Sequence, residues 1–264
     1  MTSTKLKQQP NIQLHKHVIS DMVLVATDQL LLSIREQCKV ILVNSESGQV
    51  LSEIVLQDTP GYICMTSASQ AAATFLNKTI QFVQVNKTTL QTDSITNVDV
   101  NAYGIASYRN HLVVSYIHPS GVKTISKDGT TIHNLDNTTA GRDVFKLPRC
   151  IATTPDGSIY VTDWGTGEIT RLDSSLTILQ TFSGDMLNDP HGIISLNTDL
   201  LIVCSSYDYK VVLIRPSTNR MTVLLDKPSG KDKPRYLCFC KEQKKLYVAP
   251  QADKILVYKL SWLN

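Results

Sequence analysis

The chain has 264 residues, of which 42% are hydrophobic and 19% are charged, so it has enough apolar residues to bury a core. Its formal net charge of +3 is too small to require or to exclude a nucleic-acid partner. The first seven residues do not resemble a signal peptide, and the apolar stretch 22–32 is too short to cross a bilayer, so we expect no membrane partner.

A segment of one design recurs six times, beginning near residues 19, 60, 102, 148, 190 and 234. A period of 41 to 46 residues made of short strand-like runs is typical of propeller blades. We therefore predict an all-β fold of the six-bladed β-propeller type, with residues 1–264 as a single domain. A propeller is a scaffold, so its function has to be sought at its rims and at the mouth of its channel.

The copy that begins at residue 148 predicts four strands in one blade. The first two cover 150–153 and 159–162, joined by the turn Pro155-Asp156-Gly157, and the next two cover 168–172 and 177–182. A polar start followed by apolar residues also marks third strands at 39–43, 79–83, 210–214 and 254–258. Further fourth strands are predicted at 50–55, 90–96, 131–135 and 221–225. No segment has a sustained helical period, so we expect little helix.

The last copy ends near residue 262 without a fourth strand. The strand-like segment 12–18 precedes the first copy and belongs to no blade. We predict that this N-terminal segment supplies the missing outer strand of the last blade, because such pairing covers edges that would otherwise be exposed.

The cysteines do not form a pattern typical of metal or redox sites. They lie singly on predicted strands or two apart on one strand face, and none forms a C-x-x-C pair; they are Cys38, Cys64, Cys150, Cys204, Cys238 and Cys240. We expect buried, reduced thiols and a cytoplasmic protein.

Residues 148–173 carry a family resemblance. They read Pro-Arg-Cys-Ile-Ala, then Pro-Asp-Gly-Ser-Ile-Tyr-Val-Thr-Asp, then Glu-Ile-Thr-Arg-Leu-Asp, and this pattern resembles an NHL repeat. Residues 190–214 are a second match. NHL propellers commonly form the C-terminal domain of tripartite-motif (TRIM) proteins, behind a RING ubiquitin ligase, B-boxes and a coiled coil. The resemblance implies that this chain is the recognition end of such a protein, with ligase activity and oligomerisation residing in domains outside these residues.

One face of the predicted propeller carries the loops between blades and the loops between second and third strands. Aromatic rings alternate there with basic side chains, which suits either a peptide anchor or stacking on bases with phosphate contacts. The candidate ligand-binding residues are Arg35, Tyr62, Lys78, Tyr103, Tyr116, Arg149, Trp164, His191, Tyr207, Lys210, Arg235 and Lys254.

Several of these residues also have a structural interpretation. Tyr62 and Tyr103 would then only pack the blade junctions. Arg149 and Arg235 occupy equivalent repeat positions, so they would pair with acids such as Asp163 or Asp253 and tie neighbouring blades together. Trp164 lies in a turn and favours ligand contact.

From these observations we expect a recognition module without catalytic activity, which binds a protein or peptide partner and selects substrates for a TRIM-type ubiquitin ligase. The alternative is binding of single-stranded or stem-loop RNA at the same face. A metal-dependent lactonase or hydrolase is the third interpretation, for which Asn188-Asp189-Pro190-His191 is a faint signal. We expect no catalytic residue, no metal ligand and no cofactor.

Overall fold

A computed structural model of the chain describes residues 6–138, 140–141, 143–228, 230 and 232–262, and within them the fold is all-β. The strands form six four-stranded antiparallel sheets, which are the blades of a propeller. In the described part of the chain, the helical turns are Arg35–Gln37 and Pro216–Thr218.

The strands of the first three blades follow the chain from the inside of the propeller outwards. Blade 1 consists of β2 (Asp21–Ala26), β3 (Gln29–Ile34), β4 (Lys39–Asn44) and β5 (Val50–Val55). Blade 2 consists of β6 (Ile63–Ser67), β7 (Gln70–Thr74), β8 (Thr79–Asn86) and β9 (Thr89–Asn97). Blade 3 consists of β10 (Ala102–Tyr108), β11 (His111–Tyr116), β12 (Gly121–Ile125) and β13 (Thr131–Asp136).

Blades 4 and 5 have the same order, and blade 6 takes its outer strand from the other end of the chain. Blade 4 consists of β14 (Pro148–Thr153), β15 (Ile159–Asp163), β16 (Glu168–Leu172) and β17 (Ile178–Phe182). Blade 5 consists of β18 (Pro190–Asn197), β19 (Leu200–Ser205), β20 (Lys210–Arg215) and β21 (Arg220–Asp226). Blade 6 consists of β22 (Pro234–Cys240), β23 (Lys245–Pro250), β24 (Lys254–Leu260) and β1 (Leu6–Gln13).

An N-terminal strand closes the last blade, but it is not the segment 12–18 that the sequence favours. β1 pairs antiparallel with β24, from Leu6 opposite Leu260 to Gln13 opposite Lys254. The register shifts between Gln9 and Ile12, which is where Pro10 lies, and a proline is tolerated on an edge strand at such a bulge. His15 and Lys16 have positive φ, so the chain leaves the sheet there.

The six inner strands β2, β6, β10, β14, β18 and β22 contact one another in a closed ring around the central channel. Two glycines allow the backbones of neighbouring inner strands to approach closely. A Cβ atom at Gly104 would lie 1.7 Å from the carbonyl oxygen of Arg149, and one at Gly192 would lie 2.4 Å from that of Arg235. These close contacts fix the positions of Arg149 and Arg235 along the channel axis.

Hydroxyl groups near the ends of second strands add hydrogen bonds across the blade junctions. Ser115 Oγ donates to the carbonyl of Arg149 over 2.8 Å, and Thr74 Oγ1 donates to that of Tyr103 over 2.6 Å. Ser206 Oγ, in the loop after β19, donates to the carbonyl of Pro234 over 2.6 Å. The residues that begin the inner strands are therefore held by the preceding blade.

All six cysteines are free thiols, as the sequence predicts; five are buried and Cys38 is partly exposed. No helix in the described part of the chain has the length and apolar character needed to cross a membrane.

Candidate functional site

The connections between blades and the loops between second and third strands lie on one face, which we call the upper face. On blades 4 to 6 this face brings together Arg149, Trp164, Asp189, His191 and Arg235, which we call the upper mouth. Arg149 and Arg235 lie close enough to His191 and Asp189 to affect the pKa of both. The four ionisable side chains therefore influence one another electrostatically, and Trp164 lies beside Arg149.

Arg149 lies on Trp164 and not beside an acid. Its guanidinium carbon is 4.7 Å from the centroid of the indole ring, a cation–π arrangement. Trp164 is 44% exposed, so the pair presents a flat, positively charged surface to solvent. The structure thus places Trp164 at the surface, in agreement with its position in a turn.

The carboxylate of Asp163 holds together the two loops around Arg149 and Trp164. Its carboxylate accepts hydrogen bonds from the backbone N–H groups of Lys146, Leu147, Gly165 and Thr166, over 2.6 to 3.1 Å. Since these bonds hold both the inter-blade loop and the turn of Trp164, Asp163 is not the partner of Arg149. The inter-blade ion pair that the repeat pattern suggests is absent for both arginines among the described residues.

Arg235 is paired with a histidine. Its Nη1 donates to Nε2 of His191 over 3.0 Å, which puts the proton of the neutral ring on Nδ1. Burial, together with the positive charges of Arg235 and Arg149, lowers the pKa of His191 to about 3. Asp189 Oδ1 lies 3.9 Å from Nε2. Burial raises the pKa of Asp189, while Arg235, Lys233 and Arg149 oppose that rise.

Three buried polar atoms at the upper mouth have no hydrogen-bond partner among the described residues: Arg149 Nε, Asp189 Oδ1 and His191 Nδ1. His191 is only 1% exposed. Buried polar groups in folded proteins are almost always hydrogen-bonded, and each one without a partner needs an explanation. Two donors and one acceptor grouped at the mouth are suited to a polar ligand.

A second cation–aromatic group flanks the mouth on blades 5 and 6. Lys233 Nζ lies 4.9 Å from the ring centroid of Tyr207 and 6.0 Å from that of Tyr209. Tyr207 is 61% exposed. Sequence reasoning named Tyr207 as a candidate, named Asp189 only within a faint metal-binding signal, and did not include Lys233 among the candidates; each of the last two stands next to the opening proline of its blade.

The other candidate residues are not gathered here. Tyr103, Lys210 and Lys254 are half-buried, and Lys254 is paired with Asp232 at 2.6 Å. Arg35 and Lys78 are exposed on blades 1 and 2. Tyr116 is 1% exposed, and its hydroxyl hydrogen-bonds to Asn134 and Asp136 inside blade 3. We therefore leave Tyr116 out of the contact surface.

Tyr62 closes the channel below the mouth. Although it belongs to blade 2, its ring packs edge-on against Tyr236 of blade 6, with centroids 6.4 Å apart, and it also reaches Cys150 of blade 4. Blades 2, 4 and 6 are not neighbours, so a side chain of blade 2 that reaches blades 4 and 6 lies across the channel. The two tyrosines thus separate the upper mouth from the lower part of the channel.

In the described part of the chain, no three His, Cys, Asp or Glu side chains are grouped closely enough to hold a metal ion. This includes the segment Asn188-Asp189-Pro190-His191, where the charges of Arg235 and Arg149 act on Asp189 without forming an ion pair.

No known protein family and no curated protein matches the sequence. Among solved structures, the chain is similar to a catalytically inactive histidine-to-alanine variant of virginiamycin B lyase from Staphylococcus aureus with quinupristin, with a TM-score of 0.69 and 15% identity. It is also similar to selenomethionine-substituted virginiamycin B lyase from the same organism, with a TM-score of 0.68 and 15% identity. Each alignment covers 97% of this chain and 100% of the other.

These comparisons correct one expectation and leave another unconfirmed. The expectation that the chain is not an enzyme is contradicted, because the propellers it resembles are those of a lyase. At 15% identity the likeness establishes the six-bladed fold and no activity. The NHL and TRIM identity is not confirmed by these structures.

Proposed function

We propose that the upper mouth binds a peptide or protein ligand through an anionic group, such as a carboxylate. The observation that carries this proposal is that Arg149 and Arg235 are half-buried and have no acidic partner among the described residues. An arginine fork matches a carboxylate geometrically, and such charge-assisted bonds are among the strongest hydrogen bonds in proteins. On the resemblance to NHL repeats, we propose that the ligand is a substrate protein of a TRIM-type ubiquitin ligase.

The charges at the mouth favour an anion near neutral pH. His191 stays neutral because its pKa is lowered to about 3, so the mouth and its flank carry three cations, Arg149, Arg235 and Lys233, beside the carboxyl group of Asp189. Trp164 and Tyr207 provide exposed rings beside these cations, and tryptophan, tyrosine and arginine dominate protein-binding hot spots. A ligand would thus find an electrostatic anchor and two flat apolar contacts within one surface.

Three basic groups, Arg149, Arg235 and Lys233, lie together on blades 4 to 6, while the exposed Arg35 and Lys78 lie on blades 1 and 2. Single-stranded RNA is usually held along an extended positive groove with several stacking platforms. This distribution favours a peptide over RNA, and RNA is an outcome of the test.

The experiment compares binding of an acidic peptide pool and of a random single-stranded RNA pool at low and high salt. The test variant is Arg149→Glu/Arg235→Glu, and Arg109→Glu is the control, since Arg109 is exposed and stacks on Tyr108 at the opposite end of an inner strand. Peptide binding that is lost only in the double variant supports the proposal. Retention of peptide by the double variant refutes it, and tight, salt-sensitive binding of RNA alone replaces it with RNA recognition.

A second candidate function is a lyase reaction at the same mouth. Its basis is the likeness to virginiamycin B lyase, together with the buried, neutral His191 beside Asp189. With its proton on Nδ1, the buried imidazole can donate a hydrogen bond to a substrate, while Asp189, whose pKa is raised by burial, can accept a proton. Chromatography and mass spectrometry of quinupristin incubated with the protein test this candidate. Conversion that is lost in His191→Ala supports it, and no conversion, or conversion that survives in His191→Ala, contradicts it.

A further inference from the structure

Below Tyr62 and Tyr236 lies a chamber of about 440 Å³, whose lining residues extend to the lower face. Its wall contains one aliphatic side chain from each blade, in a single layer: Met22, Ile63, Ile105, Ile151, Ile193 and Leu237. Closer to the lower face, Ser107, Thr153 and Ser195 contribute hydroxyl groups. We call this space the lower chamber. Its volume is in the range of small-molecule sites, which are about 300–1,000 Å³ and mostly apolar.

The wall of the lower chamber remains accessible, in contrast with the blade cores. Ile105, Cys150 and Ile151 are 5%, 7% and 8% exposed, whereas Leu201 and Val203 between the blades are fully buried. The channel side chains therefore keep a small contact with the space of the lower chamber.

One carboxyl group stands at the inner end of this chamber. Asp21 is level with Tyr62, Cys150 and Tyr236 on the inner strands, and its Oδ2 accepts a hydrogen bond from the backbone N–H of Ile63 over 2.8 Å. Among the chamber-lining residues, Asp21 and Lys241 are the only ones with acidic or basic side chains, and Lys241 follows β22 at the lower face.

The titratable groups that face Asp21 are tyrosines and thiols. Tyr62 and Cys64 lie just before and on β6, and Cys150 lies on β14. Tyr236 and Cys238 lie on β22. The positions level with Asp21 on β10 and β18 are glycines. Burial raises the pKa of Asp21 to about 7, against the lowering effect of its backbone hydrogen bonds. No ion pair within the described residues includes Asp21.

A buried carboxylate is costly unless a positive charge compensates it. Since no cationic side chain of the described chain does so, we propose that the lower chamber binds a small, mainly apolar molecule that carries a protonated amine. The ammonium group pairs with Asp21, and the apolar body fills the ring of aliphatic side chains. The site shares no residue with the upper mouth, so it does not depend on the function proposed above.

The probe for this site is 1-naphthylmethylamine, and its neutral counterpart is 1-naphthylmethanol. Titration calorimetry at pH 8 compares their affinities for the wild-type protein, for Asp21→Asn and for Ser107→Phe, which narrows the lower opening. We expect the amine to bind at least about tenfold more tightly than the alcohol to the wild type. Asp21→Asn removes this preference, and Ser107→Phe weakens both ligands. Arg149→Glu/Arg235→Glu changes neither affinity.

The proposal is overturned if the wild type binds neither ligand, if it binds both equally, or if the preference for the amine persists in Asp21→Asn. A second measurement needs no variant. Between pH 8 and pH 5, protonation of Asp21 removes its charge, so affinity for the amine falls with pH while affinity for the alcohol stays constant. A preference for the amine that is the same at pH 5 and pH 8 also overturns the proposal.

Discussion

The guanidinium carbon of Arg149 lies 4.7 Å from the centroid of the Trp164 indole ring. Arg149 lies at the start of β14, whereas Trp164 directly follows β15 of the same blade. Within the described part of the chain the cation forms no ion pair, and 44% of the tryptophan is exposed. The repeat position of Arg149 suggests that it joins neighbouring blades, but its side chain lies on the exposed Trp164 instead. The proposed anchor for an anionic ligand depends on this relationship.

The first prediction concerns this pair. Trp164→Ala should weaken binding of the peptide ligand by about tenfold, because exposed aromatic anchors at such sites contribute on the order of 1–2 kcal/mol. Its effect on the free energy of unfolding should be within about 0.5 kcal/mol, as for most surface substitutions. Titration calorimetry and urea denaturation give the two values. Leu179→Ala, also an exposed apolar residue of blade 4, is the control and should leave peptide affinity unchanged.

The second prediction concerns the pH dependence of stability. The pKa of Asp21 is raised to about 7, so the folded protein holds a proton that the unfolded chain releases from about pH 4 upwards. Asp21 therefore reduces stability increasingly as the pH rises from about 4 to about 7, and by a constant amount above that. Asp21→Asn should gain stability relative to the wild type between pH 5 and pH 8, as measured by urea denaturation. A constant difference between the two proteins over this range would refute the assigned shift.

His191 gives the opposite dependence. Its pKa is lowered to about 3, so the unfolded chain takes up a proton below about pH 6.5 while the folded protein does not. The stability contribution of the neutral ring is therefore lost as the pH falls from about 6.5 to about 3. His191→Gln should lose less stability than the wild type between pH 7 and pH 4.5. Equal losses in the same denaturation experiment would contradict a buried, neutral histidine.

The fourth prediction concerns the blade junction that positions Arg149. Gly104→Ala places a Cβ atom 1.7 Å from the carbonyl oxygen of Arg149, so the backbones must move apart. We expect a loss of about 2–4 kcal/mol of unfolding free energy, the scale of severe overpacking. Gly165→Ala is a milder comparison, because the atoms nearest to its Cβ are the Cβ, Cγ and Cδ atoms of Lys146 at 2.8 to 3.0 Å and not a backbone carbonyl. Thermal unfolding of both variants should show a large decrease in Tm for the first alone.

The fifth prediction concerns the closure of the propeller. Removing residues 1–13 deletes β1 and exposes the edge of β24. An unpaired edge is a template for association with other chains, so the shortened protein should unfold at lower temperature and aggregate. Light scattering during heating measures both. An unchanged Tm without aggregation would show that β1 is not needed for closure.

The repeat pattern predicts the blades well because it depends on local signals. The alternation of turn residues with β-branched runs places Val50–Val55 and Glu168–Leu172 at their actual bounds. The closing strand is misplaced because Pro10 disfavours a strand locally, while pairing with β24 overrides that preference.

The candidate site is less predictable, since its contacts join residues far apart in the sequence. Arg149 and Arg235 are identified from their repeat positions, but their partners Trp164 and His191 follow only from the packing of three blades. Tyr116 looks like a surface residue because it ends a strand, yet Asn134 and Asp136 provide buried partners for its hydroxyl. The lower chamber is not visible in the sequence at all, because each blade contributes only one residue to each layer of its wall.

The most direct test of the upper mouth is affinity selection of a random-peptide display library on the wild-type protein, on Arg149→Glu/Arg235→Glu and on Arg109→Glu. We predict enrichment of acidic peptides on the wild type and on Arg109→Glu, and loss of that enrichment on the double variant, because charge reversal repels the anionic group. The same acidic peptides on all three proteins, or no enrichment on the wild type, would contradict the account.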